Sequence, residues 1–275
     1  MREPKLGRSP RNLRFSTATR GIPLRAVLPN TVTALALCSG LTAIRFAMLG
    51  NWEVAVLMVL AAAVLDGVDG KIARLVRAES RFGAELDSLS DAISFGVAPA
   101  FILYLWSLNT LGSFGWLVAL LLALFCALRL ARFNAAIDQK EQPHKSAGFL
   151  TGVPAPAGAL LALTPLYLWL WTGESRFSEP ALVAPWTVLI AVLMVSSIAT
   201  FAPTIRLKQN VRFEAVAILV VFVAALVSAP WPTLAVMALA YLAAIPFSMR
   251  SYRRIRRLRA AAAGGLASVP ASPAP

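Results

Sequence analysis

An all-α membrane bundle of about eight transmembrane helices, with both termini on the cytoplasmic side, is the fold class this sequence predicts. Three observations predict it. Hydrophobic residues make up 58% of the 275 residues and mean hydropathy is +0.70, above the roughly 45–50% apolar content of soluble domains. The apolar residues gather into runs of about twenty, the length that crosses a ~30 Å hydrocarbon core. Alternating the loops from an inside N-terminus leaves all 26 Lys and Arg, except Arg45 and Arg176, on the cytoplasmic side or at its helix ends. That is the positive-inside pattern, and same-side termini require an even number of spans.

Residues 1–27 are basic, rich in Ser, Pro and Arg, and carry no helical or strand period, so they read as a disordered cytoplasmic tail. Leu28 to Leu49 is the first span. It opens on Leu28-Pro29-Asn30-Thr31-Val32-Thr33, where Pro29 suits a helix start and Asn30 or Thr31 can cap it. Leu37 is too large to precede a lipoprotein cysteine at Cys38, so this span is read as uncleaved. Arg45 near its far end snorkels to the interface. Further spans run from about Trp52 to Ala78, Gly83 to Trp106, Leu111 to Arg132, Phe149 to Trp171, Ala181 to Ala202, Phe213 to Ser228 and Trp231 to Met249. The two prolines of Gly152-Val153-Pro154-Ala155-Pro156-Ala157 are expected to bend the fifth span near its cytoplasmic end.

Residues 28–249 thus form the membrane domain, and 250–275 a second tail. Arg250 to Arg259 is strongly basic and is expected to lie on anionic lipid, followed by a disordered small-residue end, Ala260 to Pro275. The net charge of +13 therefore reports orientation and anionic headgroups and gives no reason to expect a nucleic-acid partner. Cys38 and Cys126 lie in apolar runs and offer neither a disulfide framework nor a metal spacing. His144, the only histidine, sits in a polar loop and reads as solvated.

Chemistry concentrates between Asp66 and Asp91. Each aspartate at a span centre costs about 2.5–3.5 kcal/mol to insert, so four of them facing lipid would cost on the order of 10 kcal/mol. Asp66, Asp69, Asp87 and Asp91 must therefore face a wet or metal-filled interior. At 100° per residue, Asp69, Gly70 and Ala73 fall within about 60° of Asp66, and Asp91 within about 40° of Asp87. If the chain turns near Ser80, Asp69 and Asp91 are equidistant from the bend and all four acids share one depth. With no Cys or His nearby, hard divalent cations fit an all-oxygen site, so Mg²⁺ or Mn²⁺ is expected, two ions balancing four charges. A pyrophosphate can fill the remaining positions with Arg74 or Lys71 at its edge, and Gly70 and Ala73 leave room for a flat group. Buried acids also build cation transporters and proton relays, the other reading open at this point.

The spacing D-x2-D-G-x2-A-R-x8-G-x3-D-x3-D, filled by Asp66, Asp69, Gly70, Ala73, Arg74, Gly83, Asp87 and Asp91, resembles the signature of the CDP-alcohol phosphatidyltransferases, with no departure from it. The resemblance implies transfer of a phosphatidyl group from a CDP-linked lipid to an alcohol, with release of CMP. It implies that Asp66, Asp69 and Asp87 ligate one ion, that Asp66, Asp87 and Asp91 ligate a second, and that Asp91 is the general base. It also implies that Gly70, Ala73, Arg74 and Ser80 contact the nucleotide and its phosphates, with Asn30, Thr31 and Thr33 beside them, while Gly83 is structural.

Three further runs are similar to the phosphatidylserine synthase branch: Ser90-Asp91-Ala92-Ile93-Ser94-Phe95-Gly96-Val97-Ala98-Pro99, Leu128-Arg129-Leu130-Ala131-Arg132-Phe133-Asn134, and the G-V-P-A-P-A run. They imply CDP-diacylglycerol and L-serine as substrates, with choline, glycerol phosphate or inositol phosphate as alternative acceptors. Arg129 or Arg132 would then hold a lipid phosphate or the acceptor's carboxylate. Membership would also imply a homodimer in a bacterial inner membrane, with its site open to the cytoplasm.

Overall fold

The computed structural model describes residues 24–75, 80–137, 149–196, 199–201 and 212–267. The basic N-terminal tail, the His144 loop and the last residues of the C-terminal tail fall outside them. The described chain is a bundle of helices. α1 spans Leu24–Met48 and packs along α2, Trp52–Leu75. After the bend at Ser80 come α3 (Arg81–Asp91), a six-residue π-helix (Ala92–Val97) and α4 (Ala98–Trp106), which follow one another without a break. α5 spans Ser113–Ile137, α6 Ala155–Ala162, α7 Thr164–Thr172, α8 Pro180–Val195, α9 Arg212–Ser228 and α10 Pro230–Ala267. Two three-residue strands, β1 (Phe149–Thr151) and β2 (Ala199–Phe201), pair antiparallel with Leu150 opposite Thr200.

Among the described residues, four helical stretches are long and apolar enough to cross a bilayer: Val27–Met48, Arg81–Trp106, Ser113–Ala135 and Pro230–Ser248. The pair α6 and α7, bent by 41°, makes a fifth if taken as one span. The chain is an integral membrane protein. α2 is of similar length, but Asp66, Asp69, Lys71 and Arg74 interrupt its apolar run. α8 has 16 residues, about 24 Å at 1.5 Å per residue, short of the hydrocarbon core. Exposed apolar residues such as Leu41, Leu117, Leu124 and Val227 are lipid-facing in this setting. The interior is filled by Phe95, Ile102, Leu103, Leu122, Leu166, Ile190, Met194 and Leu234.

Several expectations need correction. The first helix begins at Leu24, so Pro29 lies inside it rather than at its start. Thr31 does not cap it: its hydroxyl donates back to the Val27 carbonyl at 2.8 Å. The fifth span bends at Leu163, not near Pro154 and Pro156, which instead start α6. Pro165 is the cause. It has no N–H for the Leu161 carbonyl one turn back, and that oxygen accepts from Thr164 Oγ1 at 2.7 Å and Trp186 Nε1 at 2.9 Å. The C-terminal helix also continues past the basic run to Ala267. Ala260 to Ala263, the best helix formers, carry it into the stretch expected to be disordered.

The π-helix right after Asp91 was not legible in the sequence. Its wide turn is held on two sides. Ser94 Oγ donates to the Ala36 carbonyl of α1 at 3.2 Å. A Cβ on Gly40 would collide with Ser94 Oγ and lie 2.8 Å from Ser94 Cα, while a Cβ on Gly96 would lie 3.0 Å from Cys126 Cβ of α5. Gly40→Ala should therefore destabilise the protein by about 1–3 kcal/mol through overpacking. A thermal-unfolding measurement checks this, and an unchanged Tm would show that α1 can shift.

Candidate metal and substrate site

The acidic residues are delivered in two pairs, each by its own helix. The last turns of α2 carry Asp66 and Asp69. The chain reverses at Ser80, whose extended backbone (φ −133°, ψ 151°) caps α3, its hydroxyl accepting from Gly83 N–H at 3.0 Å. This N-cap fixes where α3 starts, and with it the azimuth of Asp87 and Asp91. Gly83 is favoured by proximity: a Cβ there would meet Asn30 Oδ1 at 2.9 Å and Ser80 Oγ at 3.1 Å, and both side chains would have to give way.

The acids meet. Asp66, Asp69 and Asp87 each offer a carboxylate oxygen, all within 4.8 Å of one another. Opposite ligands of one Mg²⁺ lie about 4.2 Å apart, so the cluster has the scale of one coordination sphere. Asp66 is also within side-chain hydrogen-bond reach of both Asp87 and Asp91, which brings the fourth acid in through it. Asp69 is buried and Asp66, Asp87 and Asp91 are half-buried. Three or four like charges packed this closely repel strongly, and an all-carboxylate donor set without thiol or imidazole suits a hard divalent cation. The cluster can hold a metal.

Second contacts fix the cluster in place. Thr33 of α1 donates its hydroxyl to Asp69 Oδ2 at 2.7 Å. Ser90, beside Asp91, donates to the Thr33 carbonyl at 3.3 Å. Asn134, at the end of α5, donates from Nδ2 to Ser88 Oγ at 2.8 Å, one residue from Asp87. Neither serine nor Asn134 was singled out in the sequence. Their signal was present, because Ser90 and Ser94 are four apart, on one helix side, and Asn134 ends the L-R-L-A-R-F-N run.

The remaining candidate residues divide. Gly70 is exposed with open space where a Cβ would be, and Ala73 is half-buried beside it. Arg74 is exposed, its Nε donating to the Gly70 carbonyl at 3.0 Å. Arg129 is half-buried, close enough to Asp66 and Asp91 to interact with their charge, and its Nε is buried without a partner among the described residues. Asn30 Nδ2 is likewise buried and unpartnered. Two orphaned donors around an acidic centre are what a bound anion would satisfy. Arg132 is turned elsewhere: it is exposed, and its Nη1 donates to the Val195 carbonyl at the end of α8, 3.2 Å away. Thr33, expected beside the nucleotide, has its hydroxyl on Asp69.

Comparison with known proteins bears on all of this. The profile of the family described as CDP-alcohol phosphatidyltransferase matches residues 26–201, and a second, described as CDP-alcohol phosphatidyltransferase 2, matches residues 211–246. A Mycobacterium tuberculosis protein named CDP-diacylglycerol–serine O-phosphatidyltransferase is 40% identical over 235 residues, 85% of this chain and 82% of its own length. Proteins of the same name from Mycobacterium leprae and Helicobacter pylori are 41% and 37% identical, over 82% and 62% of this chain and 76% and 70% of their own lengths. Identity sustained over most of both chains reaches well beyond the acidic motif. The chain belongs to the CDP-alcohol phosphatidyltransferase family.

Proposed function

We propose that this protein transfers the phosphatidyl group of CDP-diacylglycerol to the hydroxyl of L-serine, giving phosphatidylserine and CMP. The observation that carries the proposal is the extended identity to relatives named for that reaction, in a chain whose acidic residues converge on one point. Family membership leaves the transport reading of those acids without support.

Asp66, Asp69 and Asp87 would hold one Mg²⁺ or Mn²⁺, and Asp66, Asp87 and Asp91 a second. Bound there, the ions supply charge neutralisation and Lewis-acid polarisation at the pyrophosphate. Asp91 takes the proton from the serine hydroxyl, which is a weak nucleophile until it is removed. The freed oxygen attacks the lipid-linked phosphorus, the bond from that phosphorus to the CMP oxygen breaks, and CMP departs. Arg129 lies beside Asp66 and Asp91 with an unsatisfied donor, which supports a role in gripping an anionic group of either substrate. Gly70, Ala73 and Arg74 line the open side of α2, where the nucleotide fits against bare backbone. Asn30, Thr31 and Ser80, at the same end of the helices, complete its surroundings.

The protein would work as a homodimer in a bacterial inner membrane. It would cross the membrane eight times, with both termini and the site facing the cytoplasm and Arg250 to Arg259 at the anionic headgroups. Purified protein given CDP-diacylglycerol and Mg²⁺ should release CMP with L-serine and only at background level with glycerol 3-phosphate, inositol phosphate or choline. CMP release with one of those in place of serine would reassign the acceptor.

A further inference from the structure

We infer that Thr33 is a positioning residue of the metal centre: it orients the Asp69 carboxylate and so sets the affinity for the divalent ion, rather than touching the nucleotide. The inference rests on the metal reading above. Thr33 and Asp69 are 5% and 4% exposed, so their contact is shut away from water. The Thr33 hydroxyl lies 2.7 Å from Asp69 Oδ2 and 3.1 Å from the Pro29 carbonyl. It has one proton, and the shorter, charge-assisted bond takes it. No donor is then left for a phosphate.

The same residue is gripped from the other side by Ser90, whose hydroxyl reaches the Thr33 carbonyl at 3.3 Å. Thr33 therefore links the α2 turn that carries Asp69 to the α3 turn that carries Asp91. A donor on one carboxylate oxygen restricts the side chain's rotation and would leave the other oxygen's lone pairs available to an ion. For Mg²⁺ or Mn²⁺, which demand near-octahedral placement, that orientation matters more than the small loss of ligand basicity.

The test is Mn²⁺ binding to the purified full chain in detergent, followed through the EPR signal of free Mn²⁺. Thr33→Val, which keeps the shape and removes the donor, should weaken binding about 10-fold or more, as loss of a ligand's outer partner does. Thr33→Ser should stay within about 3-fold of wild type, and KM for CDP-diacylglycerol at saturating Mn²⁺ within about 2-fold, since no substrate contact is lost. If Thr33→Val does not fold, Thr33→Ser and Thr33→Ala, which differ only in the hydroxyl, must show the same gap. Wild-type affinity in Thr33→Val, equal weakening in Thr33→Ser and Thr33→Val, or a raised KM at unchanged Mn²⁺ affinity each overturns the inference while leaving the metal reading standing. A wild-type chain that binds no Mn²⁺ removes both.

Discussion

Asp91→Asn should lower turnover by about 10²- to 10⁴-fold, the contribution of a positioned base, with the protein still folded and embedded. The asparagine amide is nearly the same shape but cannot accept the serine proton. Asp91 is also in reach of Asp66, so part of the loss could come through the ion that the two would share. Separating the roles takes two measurements on the same sample. Mn²⁺ binding reports the ligand role. Turnover at saturating Mn²⁺ reports the base. A variant that binds the ion at wild-type strength yet turns over slowly isolates proton transfer, and one that turns over at the wild-type rate refutes the assignment.

Chelation should have an effect at least as large. EDTA-treated protein should release CMP at less than about one-thousandth of the rate with Mg²⁺ or Mn²⁺ restored, since metal contacts supply several kcal/mol of transition-state stabilisation and each 1.4 kcal/mol is tenfold. Among single substitutions, Asp66→Asn should reproduce this loss most fully. Asp66 and Asp87 are common to both proposed ion sets, and Asp66 stands in the triad with Asp69 and Asp87 and is also in reach of Asp91. Stability should move the other way. In metal-free protein, replacing Asp87 by Asn relieves repulsion among half-buried like charges, so its Tm should rise above wild type in EDTA. Unchanged CMP release after exhaustive chelation would end the metal account.

How much of this was readable beforehand depended on whether the relevant interaction is local. The depth and facing of the four aspartates follow from 3.6 residues per turn and a bend at Ser80, and the structure brings oxygens of Asp66, Asp69 and Asp87 together, with Asp91 in reach of Asp66. Arg129 was legible as a cation near the end of a span, but its approach to Asp66 and Asp91 depends on where α5 packs. Thr33 was legible as a candidate at the helix opening, but its bond to Asp69 was not, because an L-P-N-T-V-T opening carries no information about which helix lies alongside. The bend at Leu163 was assigned to the wrong prolines for a related reason. Every proline removes one donor, but the freed Leu161 carbonyl takes one from Thr164 beside it and a second from Trp186, which only the packing of α8 brings there.

From the chain alone came the membrane bundle, the acid-bearing hairpin and the class of cation it suits. These rest on hydropathy, helical period and the cost of burying charge, all properties of residues near one another in sequence. Tertiary structure alone decided the π-turn after Asp91, the clamp of Asn134 on Ser88 and the hold of Thr33 on Asp69. Each joins groups 36 or more residues apart, or is imposed by a neighbouring helix, and whether such groups come within hydrogen-bond distance is set by packing that no local pattern encodes.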